Sequence, residues 1–407
     1  MPEKSYARMK VELSTSLSSS PWPLRRALRA LCALLVLQLA FGFVYSWGTV
    51  VSYVRTFDHW SPLLTSAVFS AGPLGYATGM VISGRLTERY APRRLCWMAT
   101  GLLVIGLGIA FLFPSGLTFI VFYSAIGLGF SGAVAMAASL SAGSSLFPAR
   151  IGTIGGALTG SYALAALVEA PLVGALAAPF GWLNALRMVG GGVALLAVGA
   201  MLVLPSVPRP ERQIQPGRRS GSFFQLIGRN AIKVDMLAEA TATPLGSYAF
   251  VAVAASAHTL HLDLWVATAV VTGVAAGNAL GRIGAGVASD RFGVNRVFLV
   301  IFGTVLLAAL LLAFAGDGAI LFLAACLAGI SFGGPAGILS RLSAKVAPDT
   351  PQAAFGLLFA GFALGAFYGP LLGAAIGGMW GWMTLGSIAV IGWLALTARI
   401  LWEKRLA

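Results

Sequence analysis

Charge is what this sequence has least of. Acidic and basic residues together make up 10% of its 407 positions, while 58% are apolar. A water-soluble domain carries about a quarter charged residues. A chain this long with so few cannot cover its apolar surface in water, and the solvent that remains is lipid. Acid is scarcer than base: 13 Asp and Glu against 27 Lys and Arg, for a formal charge of +14. Cysteine is rare too. Cys32, Cys96 and Cys326 all sit in apolar runs, which excludes a disulfide framework. Three histidines and three cysteines without ligand spacing offer no metal site. No Gly-x-x-x-x-Gly-Lys-Ser/Thr loop is present to cradle a nucleotide phosphate. No cofactor is implied.

What is abundant is the long apolar run. A spanning helix needs about 20 apolar residues, and twelve runs qualify. They lie near 28–53, 63–84, 95–113, 117–145, 154–178, 183–204, 236–257, 266–288, 297–315, 319–343, 353–376 and 382–402. Residues 1–26 are polar and show no cleavage-site pattern, so the first run is expected to remain as a spanning helix. Six runs precede a polar stretch holding Pro208, Pro210, Pro216, Arg209, Arg212, Arg218 and Arg219, and six follow it. The expected organisation is an N-terminal tail (1–26), a six-helix bundle (27–205), a linker (206–233) and a second six-helix bundle (234–407).

If the N-terminus is cytoplasmic and the helices alternate, 24 of the 27 basic residues fall in inner segments. Of the remainder, Arg55 lies in an outer loop, and Arg187 and Arg282 lie within helices. This positive-inside bias puts both termini in the cytoplasm. It also assigns the basic surface to anionic lipid headgroups rather than to nucleic acid, because the charges are scattered over loops between spans.

The two halves repeat at an offset of about 200, and of 202 in the first two matches. Gly84 to Arg94 (GRLTERYAPRR) returns as Gly286 to Arg296 (GVASDRFGVNR), so that Glu88 matches Asp290 and Arg89 matches Arg291. Gly127-Leu128-Gly129-Phe130-Ser131-Gly132 returns as Gly329-Ile330-Ser331-Phe332-Gly333-Gly334. Gly181-Trp182 returns as Gly381-Trp382. Duplicated units in a membrane place a substrate site where they meet and allow rocking between two open states. The expected fold is an all-α membrane protein of twelve transmembrane helices in two pseudo-symmetric bundles. A carboxylate at a helix end followed by arginine can lock one side, which makes Glu88, Arg89, Asp290 and Arg291 the gating candidates.

Gly84-x-Leu86-x-Glu88-Arg89 and Gly286-x-x-x-Asp290-Arg291-x-Gly293 resemble the cytoplasmic loop motif of the major facilitator superfamily, and the resemblance extends over nearly the whole chain. It implies alternating access and no enzymatic chemistry.

A charge inside hydrocarbon is costly and is a functional candidate by default. In helix 8, Asn278 and Arg282 are four apart and share a face. The planar donor fork of Arg282 suits a carboxylate. Tyr45, Tyr123, Phe332 and Phe359 are candidate walls. Glu169 in helix 5 is a candidate proton carrier beside Pro171. His261 and Asp263, with His258, cluster at the outer end of helix 7 and are further candidates. Glu239, near the inner end of helix 7, reads as structural.

The helix 8 Asn-x-x-x-Arg pair, Tyr45-Ser46-Trp47-Gly48 and Phe147-Pro148-Ala149-Arg150 resemble the monocarboxylate porter group and the related oxalate/formate antiporters. The resemblance implies that Arg282 binds a substrate carboxylate with Asn278 beside it. Many members have aspartate where Asn278 stands and a lysine in helix 1 that this chain lacks. The antiporters' second cation, a helix 11 lysine, is replaced here by Phe362. One buried cation favours a monoanion such as lactate, pyruvate, acetate or formate. The expectation is a monomeric proton symporter of a short-chain monocarboxylate in a bacterial inner membrane. Carboxylate exchange, drug export and a carboxylate receptor that does not transport are the alternatives.

Overall fold

The computed structural model describes residues 22–147, 151–207, 226–348 and 350–406. Most of the expected N-terminal tail and of the expected linker lies outside them, and α1 begins at Leu24, inside the expected tail. The described residues form twelve long helices: α1 Leu24–Phe57, α2 Pro62–Arg89, α3 Pro92–Leu112, α4 Gly116–Leu146, α5 Ile151–Phe180, α6 Trp182–Val203, α7 Asn230–Thr259, α8 Leu264–Phe292, α9 Val294–Ala313, α10 Gly318–Val346, α11 Pro351–Ile376 and α12 Gly378–Leu406. No strand is present among them. With hydrocarbon outside, each backbone donor must find its acceptor within its own segment, which only helices achieve in an open bundle. Large apolar side chains such as Leu195, Val300 and Leu394 are 65–75% exposed and form the lipid-facing surface.

The turns are short because their residues suit them. Ser61 caps α2 by accepting from Leu64 N at 3.1 Å, with Pro62 at the first helical position. Asp317 caps α10 by accepting from Ile320 N at 2.8 Å. Gly181, Gly293 and Gly377 take positive φ (80°, 83° and 73°) at the α5–α6, α8–α9 and α11–α12 reversals. The second Gly-Trp pair therefore does not repeat the first. Gly181 makes a turn, whereas Gly381 lies inside α12, which starts earlier than expected, at Gly378.

Ten of the twelve helices are apolar enough by composition alone to span a membrane. The two others are α2, diluted by hydroxyl residues, glycine and proline, and α7. Helix α7 is broken at Thr243 into Asn230–Ala242 and Pro244–Thr259. Pro244 has no N–H to give to Ala240 O. That carbonyl instead accepts from the Tyr368 hydroxyl of α11 at 2.9 Å. Helix α1 tightens at the matching place, over Gly42–Ser46.

Within each half a pair of helices packs backbone on backbone. A Cβ on Gly75 or Gly79 of α2 would collide with the main chain of α4 at Ala125 or Phe130. A Cβ on Gly277 or Gly281 of α8 would collide with α10 at Cys326 or Ile330. The halves meet where α1 lies on α7, α2 on α11 and α5 on α8. At the end opposite Arg291, Arg341 and Arg399 this contact is tight. Gly48 lies against the carbonyl of Phe250, and Phe69 stacks on Phe250 with ring centroids 5.5 Å apart. A Cβ at Gly174 would stand 3.0 Å from Thr268 and 3.1 Å from Thr49. Five turns back on the same face of α5, Gly156 is exposed, and a Cβ there would meet nothing within 4 Å. Helix α5 thus abuts α8 at the far end, while at the arginine-rich end the same face is open at Gly156 and the helix packs against α4 through Ile154 and Leu158.

Candidate functional site

Arg282 lies ten residues from the end of α8, about 15 Å along the helix, and reaches the space between the halves. Its Nε donates to Asn278 Oδ1 at 3.2 Å, and its Nη2 lies 3.4 Å from the hydroxyl of Tyr45 on α1. The first contact follows from helical spacing. The second requires the two halves to come together, with Tyr45 presented by the tightened turn of α1. Among the described residues no acidic side chain pairs with Arg282. Asn278 is fully buried between α8 and α10, and its Nδ2 has no partner. Three of the five N–H groups of Arg282, the Asn278 amide and the Tyr45 hydroxyl therefore gather as donors with little to receive them.

Of these, Arg282 and Tyr45 face a cavity lined by Val44, Tyr45, Phe69, Gly72, Pro73, Tyr76, Gly129 and Tyr162 from one half, and by Arg282, Phe332, Phe359 and Phe362 from the other. It offers about 50 Å³ to the centres of water-sized molecules, several times the roughly 10–15 Å³ that one water needs. Its walls are a chain of ring contacts. Tyr45 packs on Phe250 at 4.7 Å and edge-on to Tyr162 at 5.8 Å. Tyr76 meets Tyr162 at 5.9 Å and crosses to Phe359 at 5.2 Å. Phe362 touches Phe359 at 5.4 Å and Phe332 at 5.0 Å. A cluster of donors inside an apolar, aromatic shell can hold one small anion, because the shell excludes the water that would otherwise screen the attraction.

Of the residues singled out from the sequence, Arg282, Asn278, Tyr45, Phe332 and Phe359 come together. Tyr123 does not. It is fully buried in a separate aromatic cluster of the first half, edge-on to Phe43 and against Trp47 and Phe119, and its hydroxyl lies 3.4 Å from Phe43 O. Glu169 is 5% exposed on α5, and its Oε2 has no partner. It lies within electrostatic reach of Tyr123 and Tyr162 but off the cavity wall. His261 and Asp263 are exposed at the α7–α8 turn, nineteen residues and about 28 Å along α8 from Arg282. Asp263 there accepts from Trp265 Nε1 at 3.2 Å.

Among the gating residues, the side chain of Glu88 lies outside the described residues, and Arg89 ends α2. Asp290 pairs with Arg341 of α10, while its neighbour Arg291 points to solvent. The clasp therefore ties α8 to α10 within one half. Tyr76 and Tyr162 were missed in the sequence. Tyr76 had a signal: it stands 202 residues before Asn278, so the repeat itself marks it as the first half's counterpart.

A twelve-helix, two-bundle membrane protein with a lone cation in a cavity between its halves has the form of a secondary transporter. The chain belongs to the major facilitator superfamily, whose family model matches residues 30–247 and 236–406. These are membrane transporters, not enzymes. The chain is 28% identical over 345 residues to the uncharacterized MFS-type transporter YhjX of Escherichia coli (strain K12), covering 82% of this chain and 84% of that one. Among solved structures, it is similar to a bacterial homologue of the human lysosomal transporter Spinster in an inward-facing state. That match has a TM-score of 0.70 and 16% identity, and covers 93% of this chain and 95% of the other. It is also similar to the nucleoside transporter NupG, with a TM-score of 0.69 and 15% identity over 91% and 99% of the two chains. A D-xylose–proton symporter matches with a TM-score of 0.67 and 15% identity over 91% and 97%.

Proposed function

We propose that the chain carries a short-chain monocarboxylate of the lactate or pyruvate kind across a bacterial inner membrane, as a monomer with both termini in the cytoplasm, by alternating access with a proton. The observation that carries this reading is the Arg282 fork, held by Asn278 and Tyr45 and left without an acidic partner inside the cavity. A guanidinium in that setting lacks a counter-anion, and a carboxylate supplies one with matching geometry. The single cation favours one negative charge, since Phe362 closes the cavity from α11 where a second cation would stand. A proton moving with the anion keeps the cycle electroneutral, so that no net charge crosses against the membrane potential. The arginine-rich end then faces the cytoplasm, and the state described is closed toward the outside.

Labelled lactate taken up by proteoliposomes tests this. Uptake should rise with an inward proton gradient and fall when unlabelled pyruvate or acetate competes. Saturable counterflow that ignores pH would instead make the chain an exchanger. Absence of competition by any monocarboxylate would refute the substrate assignment.

A further inference from the structure

Helices α1 and α7 occupy matching places in the two halves, and each is interrupted once, at Gly42 and at Thr243. Four residues before each interruption stands a buried polar side chain. In α1 it is Gln38, fully buried, whose amide donates to Ser139 Oγ of α4 at 2.9 Å. In α7 it is Glu239, also fully buried, and neither of its carboxylate oxygens has a hydrogen-bond partner. Near its interruption each of these helices thus buries a polar side chain, a neutral amide in α1 and an orphaned acid in α7.

Every charged or titratable group facing Glu239 is already engaged or is not a cation. On its own helix, Asp235 lies one turn away and is bound by Arg399 Nη1 of α12 at 2.6 Å. Arg399 also forms an ion pair with Glu403, its Nε 3.4 Å from Oε1 but without a hydrogen bond, and donates from Nη2 to Asn295 Oδ1 at 3.3 Å. Lys345 of α10 donates to Asn295 of α9 at 2.9 Å, and Tyr368 of α11 gives its hydrogen to Ala240 O. An ionised carboxylate among these would be buried, uncompensated and beside a second acid, which is prohibitive in a dry interior. The main chain of Glu239 is linked through Thr243 to a residue of the cavity wall. Thr243 Oγ1 is 3.0 Å from Glu239 O and 3.2 Å from the carbonyl of Phe362, which lines the cavity. Glu239 lies nine residues, about 14 Å, along α7 from Asn230.

We propose that Glu239 is the site that takes up the coupling proton and holds it in the closed state. The inference rests on the symport reading above. Anion on Arg282 and proton on Glu239 add no net charge to the moving protein. One α7 break, bonded to the cavity wall through Thr243, connects the two loads.

The test uses the full-length protein with two neutral replacements, Glu239→Gln and Glu239→Met, the second leaving no buried polar atom. In proteoliposomes both should lose accumulation of lactate driven by a proton gradient while keeping lactate counterflow. Gradient-driven accumulation equal to the unaltered protein's would overturn the proposal. So would loss of counterflow and accumulation together in folded protein, which marks a structural role. An infrared measurement needs no substrate: the C=O stretch of a protonated carboxyl at neutral pH should weaken in Glu239→Gln relative to the unaltered protein. An unchanged band overturns the proposal even if lactate proves not to be the substrate. A weakened band with no lactate transport by the unaltered protein would retain the proton site and reject only the carboxylate reading.

Discussion

Replacing Arg282 by alanine is the most incisive perturbation, and its size can be worked from the contacts. A carboxylate seated on the guanidinium gains two charge-assisted hydrogen bonds, each about 1.5–3 kcal/mol. Arg282 is partly exposed to the cavity, so solvent screening moves the total to the low end, about 3 kcal/mol. That is about a hundredfold in affinity. The substitution also strips Asn278 Oδ1 of its only donor, leaving a buried acceptor unpaired at about 1–3 kcal/mol of stability. The assay must therefore separate binding from folding. Counterflow of labelled lactate in proteoliposomes gives the first, and a detergent thermal melt gives the second. Arg282→Ala should fold, melt at lower temperature and lose lactate-dependent thermal stabilisation together with counterflow. Arg282→Lys keeps the charge but loses the planar fork and its Nε bond, and should recover part of the binding. Counterflow by Arg282→Ala at an unchanged Michaelis constant would refute the reasoning, because the anion would then be held elsewhere.

Other outcomes follow from the same geometry. Gly48→Val would force a side chain into the carbonyl of Phe250 and should prevent closure at that end; lactate binding measured by thermal shift persists while counterflow stops. Phe362→Lys places a second cation on the cavity wall and should shift competition in uptake from monocarboxylates toward a dicarboxylate such as oxalate. Asp290→Asn breaks the ion pair with Arg341, whose side chains are 46% and 70% exposed. Exposed pairs contribute at most about 1 kcal/mol, so the melting temperature should fall by no more than about 2–4 °C.

The fold was legible because lipid imposes a coarse code: a run long and apolar enough must span, and twelve runs gave twelve helices. Their ends were less so. Helix α8 runs four residues past its expected edge to Phe292, because the ends of spanning helices carry charge without ceasing to be helical. The break in α7 was not read, although Pro244 carried its signal within the single run expected near 236–257. Asn278 and Arg282 could be paired from spacing alone. Which aromatic rings line the cavity could not. Tyr123 and Tyr162 both sit in helices apolar on every side, which leaves no pattern to say which face turns inward. Only the packing sends Tyr123 into its own cluster and Tyr162 to the cavity. Glu239 read as structural for a related reason. Its isolation is made by α11 and α12, more than a hundred residues downstream.

The fit of α8 against α10 limits how an anion held at Arg282 would be let go. Glycine backbones seat so closely there that a methyl group at Gly277, Gly281 or Gly333 would strike the opposite chain, so neither helix has room to slide past the other. Arg282 and Phe332 consequently travel as fixed parts of one slab. What can withdraw is the opposing face with Tyr45, Tyr76 and Tyr162. Unloading would then consist of peeling away a cover, which would wet the guanidinium where it stands and weaken its hold without displacing it.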